Sequence, residues 1–127
     1  MIINMPISLG ELVDKISILL IKEKNIKNKE KLYLINEELN LLKETLKKTI
    51  NNSDIDQYLN QLVDINTKLW EIEDSIRDCE RNNKFDQKFI NLARSVYINN
   101  DKRFEIKLDI NKKFGSKIVE VKSYEEY

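Results

Sequence analysis

Leu69–Glu80 reads LWEIEDSIRDCE and, after a short break, Lys88–Lys107 reads KFINLARSVYINNDKRFEIK. This stretch decides the fold. Its first half continues a seam in which Ile55, Tyr58, Leu62, Ile65, Leu69, Ile72, Ile76 and Cys79 alternate spacings of three and four residues. That is the heptad signature of a long helix packed along one side. At 1.5 Å per residue such a helix spans about 40 Å. Its second half begins a fourth helix with Phe89, Leu92 and Val96, meets Asn99, Asn100 and Arg103 where apolar residues are expected, and resumes with Ile106, Ile110 and Phe114.

Working outward, Arg81-Asn82-Asn83-Lys84 makes a turn between these two helices. Asp86 suits the next N-cap, with Phe85 and Ile90 at the spacing of a hydrophobic staple. Gly115 suits a left-handed closing residue. Toward the N-terminus, Ser8 and Glu11 match a capping box ahead of Leu9, Leu12, Val13, Ile16, Leu19 and Leu20, which form the face of a first helix to about Lys24. Asn28 caps a second helix striped by Leu32, Ile35, Leu39, Leu42, Leu46 and Ile50. Asn51, Asn52 and Ser53 break the chain before the third, with Ser53 or Asp54 as its cap. Met1–Ile7 is extended. The tail after Lys117 alternates weakly through Ile118, Val119 and Val121, and either pairs with Ile2–Ile3 or lies in a groove.

The expected architecture is all-α: an antiparallel bundle of about four helices with a long central helical hairpin and extended N- and C-terminal segments. Two glycines and one proline are too few turn residues for a β-sandwich or barrel. The length fits a single helical domain over residues 1–127. Long thin helices expose more apolar surface than one chain can cover, so a homodimer packed through helix faces is expected.

Formal net charge is zero, with 35% charged and 41% hydrophobic residues, so no global attraction draws the chain to nucleic acid or membrane. The lysines from Lys22 to Lys31 lack the interleaved aromatics of a nucleic-acid surface. The longest apolar run, near Ile18–Ile21, is far short of a membrane span. With no signal-peptide pattern and one cysteine, Cys79, a reducing cytoplasm is expected.

If Asn83 is the tip of an antiparallel hairpin, Glu73 lies opposite Arg94, Trp70 opposite Tyr97, and Asn66 opposite Asn100 and Asp101. A second stripe on the third helix, Leu59, Val63, Asn66, Trp70, Glu73 and Arg77, points the same way. The candidate ligand-binding surface is therefore Trp70, Glu73, Arg77, Arg94, Tyr97, Asn100, Asp101 and Arg103. Arg94 and Arg103 offer forks for a carboxylate or phosphate, and Trp70 and Tyr97 offer faces for a ring or sugar. Glu73, Asn100 and Asp101 can orient hydroxyls. An anionic or sugar-containing small molecule fits such a surface. The same residues equally suit an interhelical ion-pair and amide network that fixes register. All four arginines, Arg77, Arg81, Arg94 and Arg103, fall in this region of a lysine-rich chain.

The chain has no histidine, which removes Ser-His-Asp and Cys-His chemistry and the ordinary zinc and non-haem iron sites. Cys79 on the apolar seam is a core thiol. Gly10 and Gly115 are isolated, so no glycine loop cradles a phosphate. No cofactor or resident metal is implied. One enzymatic alternative stands: a Mg²⁺-dependent enzyme on nucleotides or nucleotide sugars, using the carboxylate row Glu71, Asp74 and Asp78. Glu71-x-x-Asp74 resembles half the motif of the all-α nucleotide pyrophosphatases, whose companion pair of glutamates is missing here. The first helix, with Glu11, Asp14, Lys15 and Lys22, has a fainter likeness to the helical chorismate mutases but lacks their early arginine.

Pro6-x-Ser8-x-Gly10-Glu11-Leu12-x-Asp14-Lys15-Ile16, Trp70-Glu71-Ile72-Glu73-Asp74 with Ile76-Arg77 and Glu80, Ala93-Arg94-Ser95-Val96-Tyr97, Asn100-Asp101-x-Arg103 and Val121-Lys122-Ser123-Tyr124 together resemble a family of short bacterial proteins classed only as a domain of unknown function. The likeness spans nearly the whole chain. Members often sit near genes for glycosyltransferases and surface-polysaccharide synthesis. The resemblance thus implies an accessory or ligand-binding role near sugar metabolism, and brings no catalytic residues with it.

Overall fold

A computed structural model describes residues 1–51 and 53–127. Four helices follow in order: α1 Leu9–Asn25, α2 Lys29–Thr49, α3 Asp54–Arg81 and α4 Gln87–Lys113. The class is all-α, as the periodicity required. Asn52, in the expected break between α2 and α3, lies outside the described residues.

Helix ends follow local chemistry. Ser8 Oγ accepts from the Glu11 N–H at 3.1 Å, Asn28 Oδ1 from the Lys31 N–H at 3.0 Å, and Asp86 Oδ1 from the Phe89 N–H at 3.4 Å. Each cap satisfies one of the free donors of a first turn. The Ser8 capping box closes only halfway, because the Glu11 carboxylate reaches across to Lys107 on α4 at 2.9 Å. Ser53 stands at the α3 N-cap without a side-chain cap bond, and Asp54 and Asp56 supply negative charge to that first turn. The α3 end is a left-handed closure. Asn83 has φ 52°, the Lys84 N–H donates to Cys79 O at 2.9 Å and the Asn83 N–H to Glu80 O at 3.2 Å. Gly115 closes α4 the same way, at φ 68°. Phe85 stacks edge-on against Phe89, with centroids 5.2 Å apart. Both Phe85 and Ile90 stay exposed.

The long hairpin of α3 and α4 forms as expected, and the helix with the most partners is α1. It packs on each of the other three, while α3 packs on α4 and α2 packs on α1 alone. One apolar cluster draws on all four helices: Leu12, Val13, Ile16 and Leu19 from α1, Ile35 and Leu39 from α2, Ile55, Leu62 and Ile65 from α3, and Ile110 from α4. Full burial of a side chain such as Val13 or Ile16 contributes about 1.5–3 kcal/mol before the entropy of ordering is set against it. Cys79 is buried on the α3 seam as expected.

Against α4, α1 presents its small residues. A methyl added at Gly10 would stand 2.5 Å from Lys107 O and 3.0 Å from Asn111 Oδ1, so the absence of a side chain lets the two backbones meet. The Gly10 N–H donates to Asn111 Oδ1 at 2.7 Å. The tail does not pair with Ile2–Ile3; it runs without strand structure along α4, which is the groove alternative. Among the described residues no helix is long and apolar enough to cross a membrane.

Candidate functional site

The α1–α4 interface is polar where most bundle interfaces are apolar, and the site grows from it. Asp14 is fully buried on α1. A carboxylate there must be neutralised and hydrogen-bonded to remain charged. Arg103 on α4 does both, with Nε 2.9 Å from Oδ1 and Nη2 2.5 Å from Oδ2. Asn66 on α3 donates its Nδ2 hydrogens to Asp14 Oδ1 at 2.9 Å and to Ser17 Oγ at 2.8 Å. Ser17 Oγ–H donates to the Asp14 carbonyl at 2.6 Å. Three helices therefore meet on one carboxylate. Its hydrogen bonds hold Arg103 still more firmly protonated, against the opposing effect of burial.

One helical turn along α4, Lys107 is buried with its Nζ 2.9 Å from both Glu11 and Glu120. Burial pushes its ammonium pKa down, but hydrogen bonds to Glu120 and Glu11 outweigh that and leave it raised. One turn further is Asn111, the acceptor for Gly10. Arg103, Lys107 and Asn111 thus form a row at spacing four that faces Asp14, Glu11 and Gly10 on α1.

Beside this row, Lys122 of the tail donates to Asp101 and lies 5.1 Å from the centre of the Phe104 ring. The Lys122 hydrogen bond, followed by one from the Tyr127 hydroxyl, lowers the Asp101 pKa. The Tyr127 phenol is raised in turn by Asp101, and its ring meets Tyr97 edge-on at 5.2 Å.

Two clefts flank Arg103. The first, about 510 Å³, lies between α1, α3 and α4 and holds Asn66, Trp70, Glu73, Arg77, Asn100 and Arg103 over an apolar floor of Ile18, Ile21 and Leu69. The second, about 840 Å³, lies between α4 and the tail and holds Tyr97, Asn100, Asp101, Arg103, Phe104, Lys122 and Tyr127. Asn100 and Arg103 border both.

Of the eight residues expected at the surface, Trp70, Glu73, Arg77, Asn100 and Arg103 meet in the first cleft. Tyr97 and Asp101 fall in the second. Arg94 is exposed and lines neither. The expected cross-hairpin pairs do not form. Glu73 pairs with Arg77 on its own helix at 3.4 Å, Tyr97 with Tyr127, Asp101 with Lys122, and Asn66 with Asp14. The residues that sequence reasoning left out of the site are Asp14, Ser17, Lys107, Glu120, Lys122 and Tyr127. For the first two a signal existed. Gly10, Asp14 and Ser17 repeat at spacings of four and three beside the apolar face, a row of small and polar residues where another helix can approach closely.

Glu71, Asp74 and Asp78 are exposed, and Asp78 pairs with Arg81 at 3.1 Å. Among the described residues, no group of three or more Asp, Glu, His or Cys side chains converges as a metal site would.

The fold and site define a helical-bundle protein whose first helix is clamped to the last by buried, hydrogen-bonded charge. The chain belongs to the family of unknown function DUF6165, which it matches over residues 3–127. No curated protein and no solved structure matches the chain.

Proposed function

We propose that residues 1–127 form a single helical domain that serves in the cytoplasm as an accessory or ligand-binding module linked to sugar or surface-polysaccharide metabolism. In this proposal the cleft between α1, α3 and α4 takes a sugar-containing small molecule. The observation that carries it is the setting of Trp70. The indole is partly buried in a cleft of about 510 Å³, beside Asn66, Glu73, Asn100 and Arg103. A flat apolar face ringed by amide, carboxylate and guanidinium groups suits a ring with C–H bonds on its face and hydroxyls at its rim.

Charge favours the sugar part of the expected ligand class over the anionic part. Arg103 is engaged by Asp14 and Arg77 by Glu73. Arg103 therefore offers no uncommitted charge to a phosphate, and Arg77 has only a weak, exposed pairing.

Trp70 is the only tryptophan, so emission excited beyond the absorption of the five tyrosines reports on this cleft. The test is a fluorescence titration with sugars, nucleotides and nucleotide sugars, with and without Mg²⁺. A saturable change with a sugar-bearing compound is expected, lost in Asn100→Ala at unchanged melting temperature. Silence across the whole panel would refute the proposal. A nucleotide response that requires Mg²⁺ would move support to the enzymatic alternative built on Glu71, Asp74 and Asp78.

A further inference from the structure

Asn66 on α3 is only 6% exposed, yet it borders the cleft beside Trp70. Its amide has one orientation. The Nδ2 hydrogens are taken by Asp14 Oδ1 at 2.9 Å and by Ser17 Oγ at 2.8 Å. Turned over, the side chain would set its oxygen against the Asp14 carboxylate, acceptor against acceptor. Oδ1 is therefore the atom left for the cleft. It receives no hydrogen from the described residues and is not sealed from solvent. The donors stand close by on α4. Asp14 Oδ1 also accepts from Arg103 Nε at 2.9 Å, and Arg103 Nη1 reaches Asn100 Oδ1 at 3.5 Å. With its oxygen turned to Arg103, Asn100 keeps its Nδ2 hydrogens for the cleft. Apolar surface lies next to both. Ser17, bonded to Asn66, is followed on α1 by Ile18 and, one turn on, by Ile21, and these two form the cleft floor with Leu69.

We propose that this cleft selects a sugar bearing an acetamido group, and that Asn66 determines the choice. The inference rests on the sugar reading of the cleft and narrows it. An acetamido group holds three features in fixed relation: an N–H, a carbonyl oxygen on the opposite side of the planar amide, and a methyl. The N–H donates to Asn66 Oδ1. The carbonyl accepts from Asn100 Nδ2. The methyl lies on Ile18, Ile21 and Leu69, where a polar group would lose its water without gaining a partner. Other substituents each fail on one count. An ionised carboxylate or phosphate brings no hydrogen to Asn66 and sets oxygen against oxygen. A free ammonium donates to Asn66 but offers Asn100 no acceptor and the floor no apolar surface. A hydroxyl can donate or accept but leaves the floor uncovered. Any ligand without a donor here leaves a nearly buried acceptor unpaired, the ground on which a site rejects an analogue most strongly.

The test is a Trp70 emission titration of the full chain with matched methyl glycosides: glucose, N-acetylglucosamine and 2-O-acetylglucose, and the same three in the galactose series. The acetyl ester keeps the carbonyl and the methyl and exchanges only the N–H for an oxygen. In at least one series the acetamido sugar is expected to bind about tenfold or more tighter than the parent, and the ester to fall back by a similar factor. Asn66→Ala, if it folds by circular dichroism, is expected to bind amide and ester alike. If it does not fold, the wild-type ligand pairs decide alone. Parent and acetamido sugars that bind equally overturn this inference and leave the sugar reading standing. An ester that binds as well as the amide, or an amide preference that survives in folded Asn66→Ala, overturns the role of Asn66 and with it the inference. Silence with all six glycosides overturns it too, and the sugar reading falls with it only if the nucleotide sugars are also silent.

Discussion

The carboxylate of Asp14 on α1 receives two hydrogens from Arg103 on α4, at 2.9 and 2.5 Å, across 89 positions of sequence. Because Asp14 has no contact with solvent, removing Arg103 strands a buried negative charge. Arg103→Ala is expected to cost about 3–5 kcal/mol in urea unfolding. Lysine restores the charge but not the fork, so Arg103→Lys falls between. Replacing both partners with apolar residues, Asp14→Leu with Arg103→Met, costs less than either single loss.

Arg94 supplies the contrast. It is exposed, forms no ion pair among the described residues and borders neither cleft. Arg94→Ala is expected to change stability by no more than about 0.5 kcal/mol and to leave the Trp70 titration unaltered.

Gly10→Ala sets two effects against each other. Alanine is the better helix former by about 1 kcal/mol. Its methyl would stand 2.5 Å from the Lys107 carbonyl oxygen, which is backbone and cannot swing aside. Steric overlap wins, with an expected net loss of about 1–3 kcal/mol, seen as a lower melting temperature.

Acid should release the tail. The pKa of Asp101 is lowered from 3.8 by the Lys122 and Tyr127 hydrogen bonds. Its contribution to docking is therefore complete above the ordinary carboxylate range and lost as pH falls through the lowered value. NMR titration is expected to show residues 119–127 sharpening below that point. In Lys122→Gln the Asp101 midpoint moves back up, and in Asp101→Asn the Tyr127 midpoint moves back down toward 10.0.

Alkali should act through Lys107, whose folded pKa is raised above 10.5. Its contribution is present below the unfolded value and lost as pH rises through the folded one. Urea midpoints measured across that range are expected to fall in the wild type. In Lys107→Met this contribution to the fall is absent, from a lower starting stability because Glu11 and Glu120 lose their shared partner.

Much of the fold was legible because helix ends and apolar stripes are local. The seam from Ile55 to Cys79, the caps at Ser8, Asn28 and Asp86 and the closure at Gly115 depend on residues within a few positions of one another. The site was legible in part. The break in the α4 stripe at Asn100 and Arg103 flagged a polar demand, and Trp70, Glu73 and Arg77 do border the same cleft. What answered that demand was not visible. Hairpin arithmetic assumes that α3 and α4 face only each other. In the structure α1 packs against both, so Asn66 and Arg103 turn to Asp14 and the pairs across the hairpin never form. A register drawn from two helices cannot see a third. Lys107 and Lys122 were hidden for another reason: one lysine buried by its neighbours looks like any other in a chain this rich in them.

The central place of α1 has a consequence for how the protein is made. The helix that emerges first from a ribosome is the one whose partners emerge last, since its contacts at Gly10 and Asp14 wait for Asn111 and Arg103. Until then α1 has partners on α2 and α3 alone, and the side of Asp14 that Arg103 will meet stays wet. A carboxylate on that face keeps the waiting helix soluble and deters premature burial against the wrong surface. The charge that clamps the finished bundle thus also protects the nascent chain, and Asp14→Leu, however stable once folded, should give a lower soluble yield during synthesis.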